Sequence, residues 1–358
     1  VAKEMRLQKV DLRLGVSVAA INPKTVTLSD GTELPAELII LAIGVRPDIS
    51  LAKNAGLETG TRNGIKVDEF NRTSDKDIYA IGDVAEKTDA LDGESTLVPL
   101  ANIANRHGRV VADHINGRTV RPVKTIGTAI VKVFDLMIAT TGWNEKRLSA
   151  DGRPFMAIHT HPNSHAGYYP GAEQMSLKLI FYAVTGEIYG AQGVGYEGVD
   201  KRIDVIATAI RGGITAPELA DLELAYAPPF GSAKDAVNML GYVAENQISG
   251  LVETLQWNEV GTHNLLDVRS KSEFAAGSIP GAINIPVDEL RERISEVPTH
   301  DVLVVCQVGQ RGHTATLLLN ELGIAAKNLD GGYRTWVNSP AAITYHSTTE
   351  KEKEVVNV

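Results

Sequence analysis

Cys306 is the only thiol in the chain, and its neighbours give it a chemistry. It opens the run Cys306-Gln307-Val308-Gly309-Gln310-Arg311, which joins an apolar strand pattern ending at Cys306 to a helical pattern from Arg311 to Leu322. In open α/β sheets, ligands bind beyond the carboxyl ends of the strands, which is where this cysteine falls. Successive backbone amides that wrap a sulfur at the start of a helix form an anion nest, which favours a reachable thiolate or persulfide. A lone cysteine otherwise reads as inert core packing. The Cys-x-x-x-x-Arg context weighs toward the reactive reading.

A second candidate is the stretch Thr73-Ser74-Asp75-Lys76-Asp77-Ile78-Tyr79-Ala80-Ile81-Gly82-Asp83. A buried strand ending in Gly82-Asp83 sets a carboxylate at the tip of a sheet, where it accepts hydrogen bonds from cofactor hydroxyls. Gly82 lets a cofactor backbone approach closely. Gly-Asp alone reads equally well as a plain helix cap. His159 and His161 share one strand face near His165, weakly suggestive of zinc, but no cysteine or convincing carboxylate accompanies them, so no metal is expected.

Positioning these groups takes several folded units. The 358 residues are 43% hydrophobic and 22% charged, an ordinary globular composition that suggests two to three domains. The net charge is −9 with no basic stripe, so nucleic acid is not expected as a partner. No apolar run approaches the roughly 20 residues that span a bilayer, so no membrane partner is expected either. A single cysteine excludes an intrachain disulfide framework and is consistent with a reducing cytosol. The chain opens on Val1 inside a strand-and-turn pattern with no visible signal peptide, as if an N-terminal portion precedes it. Residues 1–47 read as a β-meander followed by a doubly buried strand at 37–43. A further strand is expected at 78–81, and a helix over 99–117. Mixed strands follow at 126–133, 156–160 and 177–182, then helices at 201–211 and 235–243. From about residue 251, strands at 264–268, 282–285, 302–306 and 327–329 alternate with helices at 270–276, 288–294 and 311–322, which implies a parallel sheet. The charged tail from Ser347 reads as frayed.

The sulfur loop now has a family context. Leu266-Asp267-Val268-Arg269 with Glu273-Phe274, the run from Gly277 to Pro286, and Leu329-Asp330-Gly331-Gly332-Tyr333 with Trp336 resemble the motifs of a rhodanese domain. The four residues between Cys306 and Arg311 match the sulfurtransferase loop of that family, whose phosphatase relatives have a longer one. Gln307 stands where many members carry Arg and Ser278 where many carry His, which lowers the positive charge near the sulfur. The 73–83 stretch resembles the second flavin motif of pyridine nucleotide–disulfide oxidoreductases. Leu41-Ala42-Ile43-Gly44-Val45-Arg46-Pro47 resembles the segment that returns from the nicotinamide domain to the flavin domain. His165 to Ala172, Tyr226-Ala227-Pro228-Pro229-Phe230 and Ser232 to Asp235 resemble the dimerisation domain of coenzyme A-disulfide reductases.

The resemblance implies an α/β and α+β multidomain chain: a remnant of an NAD(P)-binding domain at 1–47, a second FAD-domain segment at 48–120, a dimerisation domain at 121–246 and a rhodanese-like domain at 250–345. It implies a reductase of coenzyme A disulfide, coenzyme A persulfide or polysulfide that works as a homodimer with FAD and NAD(P)H. The first flavin fingerprint and the redox cysteine are not among these residues. Cys306 would carry sulfane sulfur, with Arg269 and Arg311 shaping the mouth of the site and Asp267 fixing the loop. Tyr168 and Tyr226 would act in trans, since a phenol can protonate a departing thiolate. Gly44, Gly82, Asp83 and the helix start at Pro99, Leu100 and Ala101 would face FAD, the helix end favouring negative charge on the reduced ring. The alternative readings are a rhodanese-type sulfurtransferase on a redox-inactive scaffold, and a non-catalytic sulfur-carrier or dimerisation module.

Overall fold

The structure, a computed structural model, describes residues 1–342; the charged tail from Ser347 lies outside the described residues. Two compact units divide the chain, residues 1–127 with 132–136, and residues 128–131 with 137 onward.

In the first unit, Val18–Ile21, Thr25–Leu28 and Glu33–Pro35 form the expected antiparallel meander. The chain opens on a helix, Ala2–Leu7, and not on strand and turn; Glu4 in its first turn and Arg6 in its last suit the helix dipole. The strand expected at 37–43 does not form. An apolar run becomes a strand only by pairing, and this one finds no partner among the described residues: Leu38 is 81% and Ile43 88% exposed. The run at 78–81 is likewise short of a strand. Tyr79 makes an isolated bridge to Arg72, and the Ala80 N–H donates to the Asn71 carbonyl. The expected helix does form, as Ala101–Ile115, with Ile103, His107 and Val110 turned inward.

In the second unit, a five-stranded sheet ends in the order Ile188–Gly195, Ser176–Phe181, Met156–Thr160, with the last as an edge strand. Leu177, Leu179 and Phe181 point from this sheet into a core shared with Ile203 and Ile206 of helix Val199–Gly212 and Leu240 of helix Ala236–Ile248. Each such side chain contributes about 1.5–3 kcal/mol on burial. A second five-stranded sheet is wholly parallel, in the order Thr254–Leu255, Ala326–Leu329, Val302–Val305, Asn264–Asp267, Ile283–Asn284. Its central strand Val302–Val305 is buried at every residue, as its unbroken β-branched and leucine run requires. The helix expected at 288–294 is replaced by turns and a single 3-10 turn, Ile294–Glu296. Pro286 and Pro298 bracket this loop, and three residues between them, Glu289, Arg293 and Glu296, pair with one another instead of winding further. Other boundaries differ from expectation by a few residues, as fraying ends do.

Candidate active site

Val302–Val305 delivers Cys306 to the carboxyl end of the central strand, and helix Gln310–Glu321 begins four residues later. The Gly309 N–H donates to Cys306 Sγ at 3.1 Å. The sulfur is more enclosed than expected: Cys306 is 1% exposed, packs in the core cluster with Val304 and Ala315, and has one loop amide within bonding distance in place of a ring of them. The reason is the floor beneath the loop. Tyr333 N–H donates to the Cys306 carbonyl at 2.8 Å and Arg334 N–H to the Gln307 carbonyl at 3.0 Å, so the start of helix Gly332–Val337 draws the loop inward.

Both arginines expected around the sulfur are committed elsewhere first. Arg269 is buried, donates to both oxygens of Asp267 and to the Gly277 carbonyl, and lies 4.1 Å over the Tyr333 ring. It reaches the loop through Gln307, whose Oε1 accepts from Nη1 at 3.2 Å. Asp267 thus holds Arg269, and Arg269 holds the loop. A charge pair this deep is worth keeping intact, because removing one member leaves the other buried and unpaired. Arg311 forms a two-pronged pair with Glu273, at 2.8 and 2.7 Å. Glu273 also caps the helix Lys271–Ala275 through Ser270.

The Arg311 guanidinium holds the Glu273 carboxyl at about 2, well below its usual 4.5. A lowered carboxyl stabilises the fold above the unfolded value, and that contribution drains away as pH falls from about 4.5 to about 2. Both side chains are about a third exposed, so solvent screening leaves about 1 kcal/mol. Glu273→Gln is therefore expected to lower stability by about 1 kcal/mol at neutral pH in urea melts, with the gap closing as the buffer nears pH 2. A gap that ignores pH would assign it to packing.

Tyr168 and Tyr226 come together although 58 residues separate them: their hydroxyls are 3.4 Å apart and both side chains are exposed. The hydrogen bond with Tyr168 raises the Tyr226 phenol above its usual value. Their two loops are stitched by Ala166 N–H to the Pro228 carbonyl, and clamped from below by Arg202, which sequence reasoning missed. This buried arginine donates to the Ser164 carbonyl and to both oxygens of Asp235. The available signal was one arginine beside Ile203 on an otherwise inward helix face.

In the first unit, Asp83 stands exposed on the 3-10 turn Gly82–Val84. Lys87 Nζ donates to the Gly82 and Ala85 carbonyls and pins that turn. A Cβ on Gly82 would come within 3.7 Å of Ala104, so the turn abuts the first turn of helix Ala101–Ile115. No side chain caps that helix at Leu100, and the Ile103 and Ala104 N–H groups both donate to the Leu100 carbonyl. Pro99 and Ala101 flank it at the surface, and Gly44 lies in the exposed 37–47 segment.

His159 and His161 turn to the end of the parallel sheet and the short helix after it. His159 Nδ1 lies 2.6 Å from Asp330 Oδ2, and His161 bridges Ser176 and Thr335 at 2.9 and 2.8 Å. Burial pushes the His161 imidazole down to about 3, so it is a neutral hydrogen-bonding bridge. A cavity of about 430 Å³ adjoins them, reaching Tyr242 on one side and Val308, Gly309 and His313 on the other.

Comparison with known proteins matches this arrangement. The family described as pyridine nucleotide-disulphide oxidoreductase matches residues 1–108, its dimerisation domain residues 128–237, and the rhodanese-like domain residues 251–339. The NAD(P)H sulfur oxidoreductase (CoA-dependent) of Pyrococcus furiosus is 33% identical over 246 residues, 68% of this chain and 55% of that one. A coenzyme A disulfide reductase of Staphylococcus aureus is 32% identical over 243 residues, with the same shares covered. The reduced CoADR-RHD of Bacillus anthracis superposes with a TM-score of 0.91 at 48% identity, over 94% of this chain and 62% of that one. An NAD-dependent persulfide reductase from A. fulgidus gives 0.88 at 38%, over 93% and 62%. The chain thus spans about half the length of the curated relatives it matches. With the oxidoreductase model, its dimerisation domain and a rhodanese-like domain matched in succession, the chain belongs to the pyridine nucleotide-disulphide oxidoreductase family and carries a rhodanese-like domain.

Proposed function

We propose that this chain works as part of a flavin-dependent NAD(P)H reductase of coenzyme A disulfide, coenzyme A persulfide or polysulfide, in which Cys306 carries the sulfane sulfur. The observation that carries the reading is the loop amide of Gly309 on the sole thiol, at the carboxyl end of a buried central strand. In the transfer step, the Cys306 thiolate attacks the outer sulfur of a persulfide. The donor S–S bond breaks, the donor leaves as its thiolate, and a persulfide forms on Cys306 with no net oxidation. The Gly309 amide favours the anion before and after the step, since both are charge-assisted acceptors.

The reduction of a persulfide to thiol and hydrogen sulfide consumes one NAD(P)H and one proton. A bound FAD supplies the two-electron link between nicotinamide and sulfur. The residues present fit such a group: Asp83 would accept from the hydroxyls of its side chain, and the helix start at Leu100–Ala101, which no side chain caps, would favour negative charge on its ring. Tyr168 and Tyr226, a hydrogen-bonded pair at the surface of the dimerisation fold, serve the departing thiolate of coenzyme A in a partner subunit. Homodimerisation follows from that arrangement in trans.

Incubation of the folded protein with coenzyme A persulfide, then with thiosulfate, tests the reading by mass spectrometry. A gain of one sulfur on the peptide that holds Cys306 is expected, together with NAD(P)H consumption by a protein of the relatives' full length. A folded protein that takes up no sulfur from either donor would overturn it.

A further inference from the structure

We propose that His159, in the dimerisation fold, is a positioning residue for the sulfur loop of the rhodanese-like domain. The inference rests on the sulfur-handling reading of Cys306 and adds what sets the geometry of that loop.

Met156–Thr160 is an edge strand, so the groups facing away from its one neighbour need partners. Rhodanese-side side chains supply them. Gln256 Nε2 donates to the Ala157 carbonyl at 2.8 Å, and two residues along, the His159 N–H donates to Asp330 Oδ1 at 3.1 Å. The His159 ring completes the grip on the same carboxylate, with Nδ1 at 2.6 Å from Oδ2. A carboxylate only accepts, so Nδ1 carries the proton. Asp330 is therefore held at both oxygens by one residue 171 positions away.

What Asp330 holds in turn is the floor of the loop. It precedes Gly331 and Gly332, and a Cβ on Gly331 would sit 2.8 Å from the Cβ of His159. One residue further, Gly332 packs so closely beneath the loop that a Cβ there would meet Gly309 N at 2.8 Å and Val308 N at 2.9 Å, with the Cys306 carbonyl nearer still. Gly309 N is the amide that faces Sγ. An unbroken path thus runs from His159 through the Asp330 carboxylate and the Gly332 backbone to that amide. Thr335, on the same short helix, takes a second fastening from neutral His161. Gln256 fastens the same edge strand, but its side chain makes no hydrogen bond to Asp330, Gly331 or Gly332.

The test uses the 358-residue chain with iodoacetamide as the probe of Cys306, and thiosulfate as the sulfur donor. His159→Ala is expected to slow alkylation about tenfold near neutral pH, as the loss of one charge-assisted hydrogen bond would, and to move its pH profile upward. His159→Asn, whose amide can donate to the same oxygen, is expected to restore most of the rate. Gln256→Ala is expected to leave rate and profile unchanged. Thermal melts of all three confirm folded protein. Wild-type behaviour in His159→Ala, an equal loss in Gln256→Ala, or no rescue by asparagine in a folded variant would each overturn the positioning role. A wild-type protein that neither alkylates nor takes up sulfur would instead locate the failure in the sulfur-handling reading, and both would fall.

Discussion

Serine in place of Cys306 is expected to abolish sulfur uptake while leaving the fold in place. A hydroxyl is far too weak an acid to attack as its anion at neutral pH, and oxygen cannot hold a sulfane sulfur as a persulfide does. No other thiol exists in the chain to take over. Stability responds much less. The Gly309 N–H that now faces Sγ can donate to a serine oxygen, and the cost of placing a hydroxyl beside Val304 and Ala315 is about 1–2 kcal/mol. The measurement is paired: mass spectrometry after incubation with a persulfide donor, and a urea melt. Sulfur found on the serine variant would mean that uptake happens at a group other than Cys306. A variant that fails to fold would make the cysteine a packing residue first.

The enclosure of the sulfur was the part of this site that the residues alone did not reveal. Spacing shows that Cys306 ends a strand and that Arg311 opens a helix, because both follow from local pattern. It does not show that the helix start at Gly332 binds the loop carbonyls from below, since residues 306 and 332 meet only through the sheet. The same limit hid His159 and Asp330. Each was visible, one in a histidine pair that hinted at metal and one inside a rhodanese-like motif, yet nothing local relates them. Arg202 under the tyrosine loops is a third case. The tyrosines themselves were placed by resemblance, and their hydroxyls do meet. Strand patterns match the structure at Val302–Val305 and Met156–Thr160, leave out Leu136–Gly142 although it pairs with Ile188–Gly195, and fail at 37–43, where hydrophobicity implies burial but pairing depends on a partner.

Alanine at Gly332 is expected to damage both the loop and the domain that carries it. Gly332 has φ +61, a left-handed conformation that costs an alanine roughly 1–2 kcal/mol. A Cβ there would also press on Gly309 N, Val308 N and the Cys306 carbonyl, which are backbone atoms and cannot rotate aside. Relief requires the loop to lift or the short helix Gly332–Val337 to withdraw, and overpacking of this kind adds about 1–3 kcal/mol. Either movement breaks the bonds from Tyr333 and Arg334 to the loop carbonyls and carries the Gly309 amide away from Sγ. Misplacement by about an ångström at a reacting centre costs on the order of a hundredfold in rate, which is the expected fall in sulfur uptake. Gly323 supplies the control. Its φ is +79 but nothing lies within 4 Å of its missing Cβ, so Gly323→Ala bears the conformational cost alone. That variant should melt slightly earlier than wild type and take up sulfur at the wild-type rate. Equal uptake by the two alanine variants would show that the loop tolerates displacement and that its amide geometry does not limit the transfer. A loss confined to Gly332→Ala ties the rate to the floor on which the loop rests.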